Sequence, residues 1–458
     1  MNLRSAIAVS TSAARRWLAG RDRSIDLAAF DTARFVDGAP ELVAGRNVML
    51  ACDDQLAAAV ALIDLDGLAH SVLLCPPDVR PDHVAELAAT AEIELIVGSP
   101  ARPGALAHLQ RPMVVVDPAQ AQPADRHGDA AATTAWLLLT SGTSGIPKIV
   151  EHSFAGLTAA MTVGASATAP VWSTFYDIRR YGGLQIFLRA MTGGGSMVLS
   201  DAGEPVGDFL QRAARLGVTH MSGTPSHWRH AIMSPHAAAI RPAYVRMSGE
   251  IADQAIIDML QAQYPQAGVA HAYASTEAGV AFPVDDGREG FPAALVDAAT
   301  GPVQMKVVDG TLRIRSPGTA TRYVGPAVAP LLDAEGFVDT GDVVERRGER
   351  FYFVGRRGGI INIGGLKVHP EEVEAVLNRH AAVRMSYVKA RKNVITGAIV
   401  TAEVVLAADV SGRDEVALKA DILQHCHAAL PPHKVPAILT FVPSLAVAQS
   451  GKMVRTHV

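Results

Sequence analysis

Cysteine is nearly absent from this 458-residue chain: Cys52, Cys75 and Cys426 are too few and too scattered for a disulfide framework or a zinc site. Aromatic residues make up only 5% and charged residues 19%, with a formal net charge of −4. That balance gives no case for nucleic acid or an anionic membrane as partner. No uninterrupted apolar span reaches the ~20 residues that a membrane helix needs. Residues 1–20 carry Arg15 and Arg16 but no continuous apolar signal-peptide core. A soluble, cytoplasmic protein is the expectation. Hydrophobic residues, by contrast, reach 49%, and a chain of this length readily buries a large core.

The most distinctive stretch reads Leu137-Leu138-Leu139-Thr140-Ser141-Gly142-Thr143-Ser144-Gly145-Ile146-Pro147-Lys148. An apolar run with the character of a buried strand opens into six consecutive small residues. Glycines let backbone N–H groups converge into a concavity that holds an anion. Thr140, Ser141, Thr143 and Ser144 add hydroxyl donors, and Lys148 adds a compact positive charge. A polar surface turn uses the same residue types, but an unbroken set closed by lysine predicts phosphate binding. It is not the Walker pattern, because Pro147 stands where that pattern has a glycine before its lysine.

Residues 45–120 alternate short apolar runs with alanine-rich segments. Strands are predicted at 48–51, 72–74, 94–97 and 113–116, helices at 55–68 and 81–91. This rhythm argues a parallel sheet with covering helices. After the glycine-rich loop, Ser153 is placed to cap a helix over 154–163. Further strands end in small-residue turns, where ligands sit in α/β sheets: Ser248-Gly249-Glu250, then His271-Ala272-Tyr273-Ala274-Ser275-Thr276-Glu277. Glu277 is the first charge after its turn and suits Mg²⁺ held against phosphate oxygens. A glutamate satisfied by a helix N-terminus is the even alternative. His227 and His230 lack a third ligand nearby, and His425 and His427 diverge at i, i+2, so neither pair predicts a metal site.

From about residue 302 the texture becomes β-rich, including 304–308, 311–315 and 318–324. Asp342, in a tight glycine turn, suits gripping a diol or simply capping the turn. Gly355-Arg356-Arg357-Gly358-Gly359 is the strongest linker. Pro370, with Glu371, Glu372 and Glu374 behind it, starts a helix burying Val373, Val376 and Leu377. The expected fold is α/β: a large domain over 1–354 of layered sheets with a β-rich subdomain, a hinge at 355–359, and a small mobile α+β domain over 360–458.

Together these segments resemble the adenylate-forming superfamily of acyl- and aryl-CoA ligases, peptide-synthetase adenylation domains and luciferases. Residues 140–148 match its phosphate loop, Tyr273-Ala274-Ser275-Thr276-Glu277 its Y-G-x-T-E motif, and Thr340-Gly341-Asp342 its T-G-D motif. Residues 355–374 match the hinge motif and Ser450-Gly451-Lys452 the C-terminal lysine motif. The compact N-terminal part and Gly182-Gly183-Leu184 are similar to aryl-acid ligases such as o-succinylbenzoate–CoA ligase. The resemblance implies a two-step reaction with ATP and Mg²⁺. A small-molecule carboxylic acid attacks the α-phosphate, giving acyl-AMP and pyrophosphate. The thiol of CoA, or the phosphopantetheine arm of a separate acyl carrier protein, then displaces AMP.

By the same resemblance, Thr140, Ser141, Gly142, Thr143, Ser144, Gly145 and Lys148 hold the β- and γ-phosphates. Gly249, Glu250 and His271, Ala272, Tyr273, Ala274 and Ser275 flank adenine. Thr276 touches the α-phosphate, Glu277 binds Mg²⁺, Asp342 takes the ribose hydroxyls, and Arg356 holds the nucleotide near the hinge. Lys452 bridges carboxylate and α-phosphate where the two anions must meet. Four positions depart from the family pattern. Gly359 and Asn362 replace the hinge acid and a following lysine, Ala274 replaces a glycine, and Arg180 replaces a histidine. Gly359 is expected to be the pivot between the two reactions.

Arg180, Tyr181, Gly182 and Trp228 are expected to line the acid pocket, with Arg180 available to a second anionic or hydroxyl group. No aspartate stands where amino-acid-activating domains hold the α-amine, although Asp177 is close by. An aryl or medium acyl acid is favoured. Carrier-protein loading is the alternative, with an amino-acid-adenylating enzyme, a luciferase-like oxygenase or a catalytically dead nucleotide-binding module behind it. No fused carrier domain is expected, since the chain stops after the lysine motif.

Overall fold

Parallel strands need crossover connections, and the alanine-rich segments supply them as helices. The computed structural model describes residues 1–458 apart from 11–14, 101–105, 125–132, 141–145, 162–168, 299, 326–328, 364, 394–396, 408–409, 411–413 and 446–458. A seven-stranded sheet runs in the order Arg322–Val324, Ile149–Ser153, Ala135–Leu139, Ser71–Leu74, Asn47–Ala51, Leu95–Gly98, Met113–Val115. Its last five strands are parallel and its first two junctions antiparallel. An eight-stranded sheet runs Gly279–Val284, Gly268–Ser275, Tyr244–Ser248, His220–Gly223, Val171–Thr174, Ser196–Val198, Trp17–Ala19, Ser24–Asp26. It is parallel except at its two edges.

One core joins the two sheets. The helix Gln55–Leu65 is buried along its whole length, and its alanines let neighbouring layers approach closely. It shares a cluster with Leu50, Val72 and Leu138 of one sheet, Trp172 and Met197 of the other, and Leu184, Phe187 and Leu188 of the helix Tyr181–Thr192. A five-stranded antiparallel sheet, Phe291–Pro292, Arg350–Arg356, Val338–Arg347, Thr311–Arg315, Gln304–Val308, has its own core around Phe291, Leu312 and Phe351.

Two local expectations are corrected. Ser153 does cap a helix, accepting from the Gly156 N–H at 3.1 Å, but that helix is Phe154–Thr158 rather than 154–163. The strand within 318–324 does not join the β-rich sheet. Its residues Arg322–Val324 cross to the seven-stranded sheet, pairing Val324 with Ile149.

Beyond Arg356 the chain builds a second unit. The strands Val383–Asn393, Gly397–Leu406 and Ile438–Phe441 form a sheet, with the helices Pro370–Asn378 and Glu415–Ala429 packed in the same core. That buried core runs from Ile361 to Leu439 and includes no residue of the large sheets. Polar bonds connect the two units. Arg379 pairs with Glu289 at 2.6 Å, Asn378 Nδ2 donates to Asp253 Oδ2 at 3.2 Å, and Arg229 donates to the Arg384 carbonyl at 3.4 Å.

Gly355 is a glycine by necessity. Its φ is +149°, and a Cβ there would lie 2.6 Å from Glu371 Oε2 and 2.8 Å from His369 Nδ1. Gly359, in the short turn Arg357–Gly359, has open space around it.

Candidate active site

The glycine-rich loop hangs between two antiparallel strands. Leu139 pairs with Ile149, and the Thr140 N–H donates to the Lys148 carbonyl at 2.9 Å, closing the neck of the loop. Ser141, Gly142, Thr143, Ser144 and Gly145 lie outside the described residues. The Lys148 ammonium stands 5.0 Å from the centre of the Tyr323 ring, a cation–π contact made possible by the strand that crossed over.

The turn at Thr276 and Glu277 links Gly268–Ser275 to Gly279–Val284. Ser275 Oγ accepts from the Ala278 N–H and the Glu277 carbonyl accepts from the Ala320 N–H, both at 2.9 Å. His152, from the strand after the loop, donates Nε2–H to the Thr276 carbonyl at 2.7 Å. Burial pushes this histidine down to about 4, so it is neutral at physiological pH. Loop strand and carboxylate turn are thereby tied together. Among the described residues Glu277 has no ion pair. Its charge is felt on both sides: burial and Glu277 raise the Tyr323 phenol to about 12, and Glu277 also acts on Arg356.

Asp342 follows Gly341, whose φ of +68° makes the turn. Its Oδ1 accepts from Arg356 Nε at 3.0 Å, and its Oδ2 accepts from the Tyr273 hydroxyl at 2.5 Å. Arg356 also donates to the Thr340 carbonyl at 3.0 Å. Tyr273 lies stacked against Phe353, centroids 5.2 Å apart, so the eight-stranded sheet meets the β-rich one at this point. Gly249 and Glu250 leave the neighbouring strand, where Ser248 pairs with Ala272. Glu250 accepts from the Ser226 N–H at 2.9 Å, and His271 Nε2–H donates to the Arg288 carbonyl at 3.0 Å. The structure therefore joins Tyr273 and Arg356 to Asp342 by direct bonds, ties Thr276 to the loop strand through His152, and sets Lys148 over Tyr323, with the Glu277 charge acting on both Tyr323 and Arg356. Lys452 lies outside the described residues.

A pocket opens behind Ala274. Tyr181, Gly182, Gln185, Ile186 and Arg189 line it from one helix, and Arg246, Ser248, Ala274 and Val280 from the sheet. Tyr181 and Gly182 are thus among the residues that line this pocket.

Two other expectations fail. Arg180 points away, its guanidinium bidentate on Asp78 at 2.6 and 2.7 Å, because it precedes the helix and faces the loop beyond Ser71–Leu74. Arg180→Ala should leave the apparent KM for the acid unchanged in pyrophosphate-release assays; a clear rise would return it to the pocket. Trp228 is fully buried in the core beside Phe209 and Tyr264, its indole N–H donating to the Arg246 carbonyl at 3.3 Å. Asp177 is consumed by the buried Arg179 at 2.6 Å, so it is not free to hold an amine. Among the described residues no group of three or more His, Cys, Asp or Glu side chains could hold a metal. His227 serves instead in the capping box of the helix Pro225–Met233.

Sequence reasoning missed His152, Tyr323, Arg189 and Arg246. Arg189 and Arg246 did leave a signal, as charges inside an otherwise apolar helix and a buried strand. His152 and Tyr323 gain meaning only through pairing between distant segments.

Layered sheets carrying a phosphate-type loop, a carboxylate turn and a strand-end aspartate beside one pocket define a nucleotide-binding architecture of the adenylate-forming class. The chain belongs to the AMP-binding enzyme family. The family's sequence profile matches residues 41–324, and that of the AMP-binding enzyme C-terminal domain matches 372–452. The human mitochondrial acyl-coenzyme A synthetase ACSM2A is 27% identical over 350 residues, which cover 70% of this chain and 59% of that protein. This match thus spans under two thirds of its relative's length. Among solved structures, the anthranilate CoA ligase AuaEII in complex with anthranoyl-AMP superposes with a TM-score of 0.81 at 16% identity, covering 99% of this chain and 95% of that one. The o-succinylbenzoate CoA synthetase of Bacillus subtilis superposes with a TM-score of 0.72 at 17% identity, covering 98% and 96%. At such identities these structures establish the fold. Among the described residues, no helix is long and apolar enough to cross a membrane.

Proposed function

We propose that this chain is an ATP-dependent acid–thiol ligase: it joins a carboxylic acid to AMP with release of pyrophosphate, then passes the acyl group to the thiol of CoA. The observation that carries this reading is the gathering at one place of Lys148 over Tyr323 and of Arg356 and Tyr273 on Asp342, with the Glu277 charge acting on both groups and a pocket behind Ala274. In this reading the 140–148 loop takes the β- and γ-phosphates and Asp342 takes the ribose hydroxyls, with Arg356 fixing the carboxylate. Gly249, Glu250 and the 271–275 strand flank adenine, and Thr276 lies at the α-phosphate.

Mg²⁺ fits this donor set. Among the described residues the Glu277 carboxylate has no ion pair and is partly exposed, and Mg²⁺ is ordinarily held by one or two carboxylates together with substrate phosphates. When bound there, it would offset phosphate charge as pyrophosphate leaves. Neutral His152 keeps the Thr276 turn in register with the loop strand, so the α-phosphate and the leaving phosphates are positioned as one unit.

CoA is favoured as acceptor because the relatives that match include acyl-coenzyme A synthetases. The test is acid-dependent pyrophosphate release over aryl, fatty and amino acids, followed by competition between CoA and a carrier protein. Failure of every acid to elicit release would sink the proposal. The hinge reading has its own test. Gly359 has open space around it, so Gly359→Pro should fold. It should keep pyrophosphate release while thioester formation falls at least about tenfold. Equal loss of both half-reactions would remove Gly359 as the pivot.

A further inference from the structure

Arginines buried in the large unit are matched. Arg179 pairs with Asp177 at 2.6 Å, and Arg212 with Glu204 and Arg229 with Asp253 at 2.7 Å; Arg16 donates to the carbonyls of Ile7, Ser10, Met191 and Gly195. Two partly exposed arginines lack an acidic partner among the described residues, and both line the pocket behind Ala274. Among the described residues Arg189 has one hydrogen bond, an exposed one at 3.4 Å to the Ala160 carbonyl. The guanidinium of Arg246 has no ion pair among the described residues. The segment 162–168, which follows Ala160 and Met161, reads Thr-Val-Gly-Ala-Ser-Ala-Thr and contains no acid. Burial, and after it the charge of Arg246, hold the Arg189 guanidinium below its ordinary value. Two like charges this close, beside Ile186 and Val280, repel each other, and an anion between them would offset that repulsion.

That anion does not belong to the nucleotide. Successive residues of a strand face opposite sides. Tyr273 points to Asp342 and Phe353, whereas Ala274 faces the pocket. The anion therefore arrives with the acid.

We infer that the acid is a small dicarboxylate, with one carboxylate activated near Thr276 and the other held by Arg189 and Arg246. This rests on the reading of the chain as an acid-activating ligase. Guanidinium forks match carboxylates bidentately. Tyr181, Ile186 and Val280 provide an apolar wall for the skeleton between the two carboxylates. An α-ammonium would be repelled by the same pair, and a plain fatty acid would leave both charges unmatched.

The test compares diacids with their half-amides: succinate, adipate, and the three benzenedicarboxylates, alongside benzoate and hexanoate. In pyrophosphate release, at least one diacid should exceed its half-amide in kcat/KM by tenfold or more. Arg246→Met and Arg189→Met should each raise KM for that diacid with kcat little changed, and move the ratio toward one. Turnover of a monoacid by the variants, together with unchanged melting, shows that they are folded. Preference for monoacids by the unmodified protein overturns the dicarboxylate inference while leaving the ligase reading intact. So does a diacid-to-half-amide ratio that both variants preserve. Silence with every acid overturns the ligase reading, and this inference with it.

Discussion

Lys452→Ala should slow acid-dependent pyrophosphate release by about 10²–10³-fold, the usual cost of removing one preorganised donor from a developing negative charge. The first step forces a carboxylate against a phosphate, and a cation must stand between them. The described cations nearby are already engaged. Lys148 stands over Tyr323 at the loop neck, and Arg356 is held by Asp342 and the Thr340 carbonyl. Arg189 and Arg246 lie on the pocket side of the strand. The bridging charge must therefore come from elsewhere in the chain, and the Ser450-Gly451-Lys452 segment supplies it in our proposal. Thioester formation from preformed acyl-AMP should be nearly unaffected by this substitution, since that step no longer brings two anions together. If both steps slowed equally, Lys452 would have a structural role instead.

Asp253→Ala should lower unfolding stability by about 3–5 kcal/mol, a loss typical of breaking one partner from a buried pair. Asp253 accepts from Arg229 Nη2 with both oxygens at 2.7 Å, and both side chains are under 10% exposed. The same carboxylate caps the helix Gln254–Gln263, accepting from the Ile256 N–H at 3.0 Å. Alanine would strand the Arg229 charge in a dry site and release the cap together. Asp253→Asn should lose less, because an amide oxygen can still cap the helix. Urea unfolding followed by tryptophan fluorescence measures this, with Trp228 adjacent to Arg229 as reporter. A loss below about 1 kcal/mol would mean that water reaches the pair and screens it.

The features legible in the sequence are those whose chemistry is local. Strands at 48–51, 72–74 and 113–116 announce themselves by short apolar runs between turn residues, and each falls within about a residue or two of its observed bounds. The glycine-rich loop and the Thr276–Glu277 turn are equally plain, because consecutive backbone groups define them. What stayed hidden depends on partners far away in the chain. Nothing near Tyr323 reveals that its strand leaves a β-rich region to pair with Ile149.

The arginines make the same point within one helix. Arg180 precedes Tyr181–Thr192 and turns to Asp78, whereas Arg189 stands seven residues after Gly182 and shares its face. Helical spacing says that Gly182, Gln185, Ile186 and Arg189 belong together. It does not say which face meets the pocket until the sheet is in place. Trp228 was misread for a similar reason, since an aromatic suited to a pocket wall is just as well suited to a core.

The joint between the two units has a physical consequence for how it responds to its surroundings. Among the described residues no apolar cluster spans it; Arg379 with Glu289, Asn378 with Asp253, and Arg229 with a carbonyl connect the two sides. Each such bond contributes only about 0.5–1.5 kcal/mol net, because water takes up the freed groups as it opens. Separation therefore exposes little greasy surface and carries little heat-capacity change. Dissolved salt, which screens the Arg379–Glu289 charges, loosens this seam more than warming does.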